Sequence, residues 1–405
     1  MDAANARKLP DIGLIGETTD SVNIDAAGRW QQIGACAAEA ELYDEYARAN
    51  AGRFRNNIES YVGTISVPLG IAGPLTIHGA GGTAVYRVPL ATTEAALVAS
   101  YNRGAGLISA AGGCTARVTD AAVSRTPMFA FADLVNAQVF ARFVGGIADQ
   151  LQEVVARTTA HGQLAGVRAV VEGNHVYLDL RFRTGDASGQ NMVTFAADAI
   201  CTEICRLSPV APRYWFLEAN FSGDKKASGM SLGGVRGKRV CAEVLISKSL
   251  LASVLHTTPQ RMVHYWYAGA IGGVMSATTG IHGHIANGIA ALYLACGQDV
   301  ACVAESAVGV TRLELASSGD LYASVTLPNI MVGTVGGGTA LPSAAACLEI
   351  LGLRGSGKSL ALAEVCAALV LAGELSIIGA FCSGDFALAH RSLSRGEPRM
   401  RRKEQ

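Results

Sequence analysis

Residues 167–192, VRAVVEGNHVYLDLRFRTGDASGQNM, decide how the chain is read. Val176, Leu178, Leu180 and Phe182 alternate with other residues in the period-2 pattern of a strand with one buried face. Gly173 and Asn174 separate that run from VRAVVE, so the two predict a β-hairpin. A glycine-containing turn follows, and from Gln190 to about Leu207 the chain reads as a helix. A strand that enters a helix through such a turn presents backbone N–H groups to an anion, so this is a place for phosphates. The GxGxxG spacing of a dinucleotide fingerprint is absent, however. Upstream, the stretch from Phe129 to about Thr159 also reads as helical, which makes 127–218 an inserted α+β unit.

The whole chain, insert included, has 405 residues, 50% apolar and 16% charged, with 33 basic against 33 acidic side chains. So little charge argues against disorder and suggests extra buried surface between subunits. A net charge of zero leaves no electrostatic footprint for nucleic acid, and no nucleic-acid partner is expected. Basic residues concentrate only at Arg391, Arg395, Arg399, Arg401, Arg402 and Lys403, the pattern of a solvated tail. Ten cysteines without CxxC or zinc spacing point to a reducing compartment and no metal. The N-terminus shows no secretory pattern. Residues 262–298 lack acid and base but contain His264, His282, His284 and Asn287, which favours a buried helix pair over a membrane span.

Elsewhere, helices are expected over 35–50, Ala91 to Arg103 with Thr92 or Thr93 as N-cap, 284–297, 343–352 and 361–380. In a chain so poor in charge, four polar islands stand out: TTE at 92–94, DKK at 224–226, GQD at 297–299, and His390. Each has a plain structural reading. Glu94 suits a helix N-terminus, DKK a solvated turn, and His390 an exposed terminal segment. Asp299 is harder to explain, because it follows the C-terminal end of an apolar helix, where a cation is favoured. Residues 352–359, GLRGSGKS, match the pattern of a phosphate-binding loop, but too few residues follow to complete a nucleotide-hydrolysing core.

In order along the chain, ESYVG (59–63), VPLGIAGPL (67–75), ATTEAALVAS (91–100), NRG (102–104), GDASGQNM (185–192), DKK, AGAIGGVMSA (268–277), ACGQD (295–299), VGTVGGGTALP (332–342) and AGELS (372–376) resemble the 3-hydroxy-3-methylglutaryl-CoA reductase family. The DKK, GQD and GTVGGGT forms are similar to those of its class I branch. The resemblance implies an α+β fold: a large helical substrate-binding domain around a central helix (51–126 and 219–405), preceded by an N-terminal helical segment (1–50). An inserted ferredoxin-like nucleotide-binding domain (127–218) completes it. The implied reaction takes the thioester to an alcohol in two hydride transfers through a mevaldyl hemithioacetal, giving mevalonate and CoA.

By the same resemblance Lys225 stabilises the oxyanion, and Glu94 is the general acid, its pKa raised by burial near other carboxylates. Asp299 hydrogen-bonds both and tunes them, and His390 protonates the departing thiolate. Glu59, Ser100, Asn102, Arg103, Arg125, Asp224, Lys226 and Asn287 fall to the acyl-CoA, Arg125 being suited to a carboxylate by its bidentate fork. The dinucleotide falls to Asp186, Ala187, Ser188, Gly189, Gln190, Asn191 and Met192, with Gly336, Gly337 and Gly338. Active sites between subunits of a homodimer or homotetramer, and a soluble cytoplasmic enzyme without membrane attachment, complete the expectation.

Departures from the family pattern bear on specificity. Ser188 and Gln190 stand where methionines are usual, and Val139 stands where an arginine often meets the 2′-phosphate, so NADPH is favoured over NADH only modestly. Ser231, Glu218 and the VRGK form at 235–238 also depart, which leaves a different branched acyl-CoA as an alternative substrate. Gly396 replaces the serine phosphorylated in eukaryotic members, so that switch is not expected. A nucleoside-triphosphate switch on Gly352–Ser359 and a non-catalytic CoA-binding homologue are the readings from other classes.

Overall fold

Three short helices lead the described chain: α1 (Ala26–Ile33), α2 (Cys36–Leu42) and α3 (Glu45–Phe54). The computed structural model describes residues 25–34, 36–54, 57–234 and 236–384. The single helix expected over 35–50 is broken at Asp44, whose carboxylate accepts the Ala47 amide at 2.7 Å and starts α3. Trp30 ties this leader to the rest by donating its indole N–H to the Val62 carbonyl at 2.7 Å.

Next come β1 (Leu69–Gly79), β2 (Gly82–Ala91), α4 (Leu97–Ala110), β3 (Cys114–Arg125), β4 (Met128–Ala130), α5 (Leu134–Gly146), α6 (Ala148–Thr158), β5 (Gln163–Glu172), β6 (His175–Arg183), α7 (Gln190–Leu207) and β7 (Tyr214–Phe216). The remainder is β8 (Arg236–Ile246), α8 (Lys248–Leu255), α9 (Pro259–Met275), β9 (Gly280–Ile281), α10 (Ile285–Ala295), α11 (Val303–Ser306), β10 (Gly309–Leu315), β11 (Leu321–Ile330), α12 (Pro342–Ile350) and α13 (Ser359–Ser383). The fold is mixed helix and sheet, as expected. The expected hairpin is β5–β6, and its alternating residues Val176, Leu178, Leu180 and Phe182 are all buried.

The strands join in one sheet, ordered β7-β4-β6-β3-β8-β11-β10-β9, with β5 on β6 and the β1–β2 hairpin on β3. β3 links the two halves, pairing with β8 along most of its length and with β6 through Val123, Ser124 and Arg125. The large part is therefore built on antiparallel sheet as much as on helices. Its strands β3, β8, β10 and β11 were not anticipated, although β11 alternates buried and half-buried residues as a one-faced strand should.

At the centre lies α13, an apolar 25-residue helix long enough to cross a membrane, of which 89% of the most apolar window is buried inside the fold. Its apolar character all round is that of a core helix. Glu374 on α13 accepts the Gly283 and His284 amides at 2.7 and 2.8 Å and the Thr311 hydroxyl at 2.8 Å, fastening the start of α10 and β10 to it. α4 crosses α13 so closely that a Cβ on Gly104 would lie 1.9 Å from the Ala372 carbonyl oxygen.

That crossing corrects the expected helix over 91–103. Thr92 does not cap it; its hydroxyl takes the Glu94 amide at 3.0 Å in a turn, and α4 begins at Leu97 and runs on to Ala110. Packing on α13 keeps helical a stretch that its glycines would loosen. The helix expected from Phe129 to Thr159 becomes strand β4 and two helices, parted at Ile147 after Gly145–Gly146. The stretch 262–298 does hold a helix pair, but only α10 is enclosed, while α9 exposes Tyr267, Ile271, Val274 and Met275.

Candidate active site

The Lys225 ammonium and the Asp299 carboxylate meet at 2.9 Å. Lys225 lies in the turn after β7 with φ +55, the left-handed region that costs a side-chain-bearing residue on the order of 1 kcal/mol. Asp299 follows α10, yet it is not stranded at a helix C-terminus. The chain reverses at Gly297, and Asp299 caps the next short turn, Val300–Cys302, accepting the Ala301 amide at 3.0 Å. This corrects the expectation of an electrostatically awkward acid. The hydrogen bond to Asp299 raises the Lys225 pKa. Burial works against the charge of Asp299, but hydrogen bonds from Lys225, Ala301 and Gln190 outweigh it and hold the carboxyl below its ordinary value. The pair therefore stays charged until pH falls through the lowered value of Asp299 or rises past the raised value of Lys225.

Gln190, the first residue of α7, donates its carboxamide to Asp299 at 3.0 Å and to the Cys302 sulfur at 3.1 Å, and its oxygen lies 3.4 Å from Arg236. Sequence reading gave Gln190 to the dinucleotide only. Beneath it, the Arg236 guanidinium is fully enclosed, 2.9 Å from Asp224 and 3.4 Å from Glu305, and donates to the Ser124 carbonyl at 3.2 Å. Burial raises the pKa of Glu305, against the lowering effects of its own backbone and of Arg236. Arg236 and Glu305 were both missed as site residues. The available signal was slight: Glu305 is the one charge in VAES, whereas Arg236 sits among the bases of VRGKR.

Arg125 was assigned to a substrate carboxylate, but in the structure its fork meets groups of its own chain: Glu218 at 3.4 Å, Asp224 at 3.1 Å and the Thr194 hydroxyl at 3.0 Å. Asp224 thus bridges the two buried guanidiniums. Lys226 is exposed and donates to the Asp224 carbonyl at 3.0 Å.

Glu94 is exposed and accepts from the Asn287 carboxamide at 3.2 and 3.3 Å. Its hydrogen bond is thus to Asn287 rather than to Asp299, and in one chain the expected burial is absent. Ser100 meets the Ser376 hydroxyl at 2.9 Å, Arg103 donates to the Ser376 carbonyl at 2.9 Å, and Asn102 accepts the Gly73 amide at 3.0 Å. These three brace α4 on α13 and β1. Glu59 is exposed in the loop before Tyr61. His390 lies outside the described residues.

The dinucleotide turn is anchored by Asp186. Its carbonyl accepts the Thr334 amide at 2.8 Å, and its carboxylate accepts the amides of Gly357 at 2.7 Å and Ser359 at 3.1 Å. Burial opposes the charge here too, but those amides hold the Asp186 pKa down. The glycine loop that mimics a phosphate-binding loop therefore already grips a carboxylate of its own chain. Gly189 is the N-cap of α7 and brings no side chain to it, so no N-cap side chain occupies the first amides of this 18-residue helix. Gly297 and Gly338 pack backbone to backbone, a Cβ on Gly297 falling 2.4 Å from the Gly338 oxygen, and this seats Asp299 beside the 336–338 loop. A Cβ on Gly336 or Gly337 would meet nothing within 4 Å, so that loop borders open space. A helix start without a side-chain cap and an open glycine loop are each suited to a phosphate group. Among the described residues no three His, Cys, Asp or Glu side chains converge to hold a metal ion.

Residues 26–395 match the family model described as hydroxymethylglutaryl-coenzyme A reductase. The chain belongs to this family. A 3-hydroxy-3-methylglutaryl-coenzyme A reductase of Methanothermobacter thermautotrophicus is 40% identical over 363 residues, 89% of this chain and 91% of that one. The enzyme of that name from Haloferax volcanii is 38% identical over 97% of this chain and 93% of its own. Among solved structures, the class II reductase of Streptococcus pneumoniae bound to NADPH in open conformations shares the fold, with TM-score 0.66 at 20% identity, covering 87% of this chain and 86% of that one.

The Gln190 carboxamide on Asp299 makes a specific prediction. Gln190→Met removes a donor from Asp299 and leaves Lys225 in place. The Asp299 pKa rises toward its ordinary value, and the acid limb of the kcat–pH profile moves upward, with kcat at neutral pH falling about tenfold, the worth of roughly one charge-assisted hydrogen bond. An acid limb at the wild-type position would show that Gln190 does not act on Asp299.

Proposed function

We propose that the chain reduces 3-hydroxy-3-methylglutaryl-CoA to mevalonate and CoA with two equivalents of NADPH. The observation that carries this reading is the Lys225–Asp299 pair at 2.9 Å, with Asp299 held by Gln190 from the start of α7. Bound NADPH would supply the hydrides, held by Asp186 to Met192 and by Gly336 to Gly338. Lys225 stabilises the oxyanion that develops on the thioester carbonyl, a cation kept protonated by its partner. Glu94 delivers the proton to the aldehyde oxygen, and His390 protonates the thiolate of CoA. Glu59, Ser100, Asn102, Arg103, Arg125, Asp224, Lys226 and Asn287 remain the acyl-CoA set.

Within 127–218 the strands run β7-β4-β6-β5 in space, with α5 and α6 after β4 and α7 after β6. That order supports a ferredoxin-like dinucleotide domain. The exposure of Glu94 and the outward apolar side chains Tyr267, Ile271, Val274 and Met275 of α9 support a homo-oligomer whose second subunit encloses the acid. The described cysteines are all free thiols, which suits the cytoplasm.

The test follows reduced-nicotinamide absorbance with purified protein and 3-hydroxy-3-methylglutaryl-CoA, with free thiol counted in parallel and NADPH and NADH run separately. Two cofactors oxidised per thiol released is the expected result, with NADPH the better reductant. Turnover only with another branched acyl-CoA would overturn the substrate assignment.

A further inference from the structure

A cavity of about 350 Å³ lies behind the dinucleotide turn, between β3, β8 and the start of α13. Lys238 of β8 lines it and is only 4% exposed. An ammonium has three N–H donors, yet the hydrogen bond that Lys238 makes among the described residues is to the Val332 carbonyl, at 2.9 Å. The carboxylate in the same wall, Asp186, is engaged by the Gly357 and Ser359 amides. The rest of the lining is largely apolar, including Ala121, Val123, Met331 and Leu360, with Arg183 at the exposed margin. An enclosed cation with unused donors at one end of an apolar cavity is half of an ion pair.

We propose that this cavity binds a small organic anion, its carboxylate or phosphate head group paired with Lys238 and its apolar body against Ala121, Val123, Met331 and Leu360. The volume falls in the range of small-molecule sites. Burial lowers the Lys238 pKa to about 8, against the raising effects of Asp186 and Cys366. An anion seated on the ammonium restores its proton affinity, so binding near that pH takes up protons. Nothing in this inference depends on the reductase reaction.

Calorimetric titration of the full chain at pH 8 with hexanoate and with hexyl phosphate, each in two buffers of different ionisation heat, tests it. The expected result is one site that takes up about half a proton per anion and persists at saturating NADPH. Binding of hexanoate alone assigns a carboxylate ligand and of hexyl phosphate alone a phosphate; either carries the proposal. Lys238→Met weakens binding at least tenfold and removes the proton uptake. Ala121→Trp, which fills the cavity from a half-exposed position, weakens it comparably and decides the matter if the lysine variant does not fold. No binding of either probe, affinity unchanged in both variants, or displacement by NADPH would each overturn the proposal, the last by making the cavity part of the dinucleotide site.

Discussion

Lys225→Met lowers kcat by roughly three orders of magnitude or more while KM for the acyl-CoA changes by only a few fold. Removing one neutral oxyanion donor costs about 10²- to 10³-fold in enzymes that use them, and here the group removed is a full charge. The effect falls on kcat because negative charge on the carbonyl oxygen develops only as the reaction proceeds. Folding is little affected, since the Lys225 and Asp299 side chains are 43% and 37% exposed and the turn keeps its backbone. Lys225→Arg does not restore the rate, because a planar fork cannot place one compact charge on both Asp299 and the substrate oxygen. Steady-state kinetics with urea unfolding of the same samples checks this. A variant within tenfold of wild type would remove Lys225 from the chemistry.

Arg236→Met is the most destabilising single change expected, on the order of 3–5 kcal/mol, because it leaves the charges of Glu305 and Asp224 enclosed without their cation. Asp224 keeps Arg125, so Glu305 bears most of the loss. The pH dependence has a definite sign. Without Arg236 the folded-state pKa of Glu305, already raised, rises further above its unfolded value of about 4.3. The penalty is absent at acid pH, where the carboxyl is protonated in both states, and grows as pH rises through that unfolded value toward the folded one. Urea unfolding of the variant relative to wild type at pH 4 and pH 8 should therefore show the larger loss at pH 8. Adding Glu305→Leu to Arg236→Met should recover much of the stability, since an apolar replacement removes the orphaned charge. Equal losses at both pH values would show that the guanidinium acts through packing alone.

These two variants divide the site along the line between what was legible in sequence and what was not. Lys225, Asp299 and Glu94 stood out within polar islands of an apolar chain, and the fold pairs Lys225 with Asp299 and Glu94 with Asn287. Arg236, whose charge holds both Asp224 and Glu305 and meets the Gln190 oxygen, stood out little, as did Glu305, because nothing local marks a charge as buried. The role of Gln190 was invisible for a related reason: its partner Asp299 is 109 residues away. The glycine loop at 352–359 was misleading in isolation, since the anion its amides hold is Asp186, more than 170 residues earlier.

The sequence by itself determined the elements whose periodicity is decisive: the β5–β6 hairpin with its buried alternate residues, α7 after its glycine turn, and α13 apolar on every side. Local pattern suffices there, because the hydrophobic effect rewards one period over the other whatever the partner. Only the tertiary structure decided where α4 begins and ends, that β3, β8, β10 and β11 form the floor of the large part, and which charges face one another. Those outcomes depend on contacts between residues far apart in the chain. Gly104 against Ala372, Gly297 against Gly338 and Arg236 against Glu305 each take their meaning from a neighbour that only the folded chain supplies.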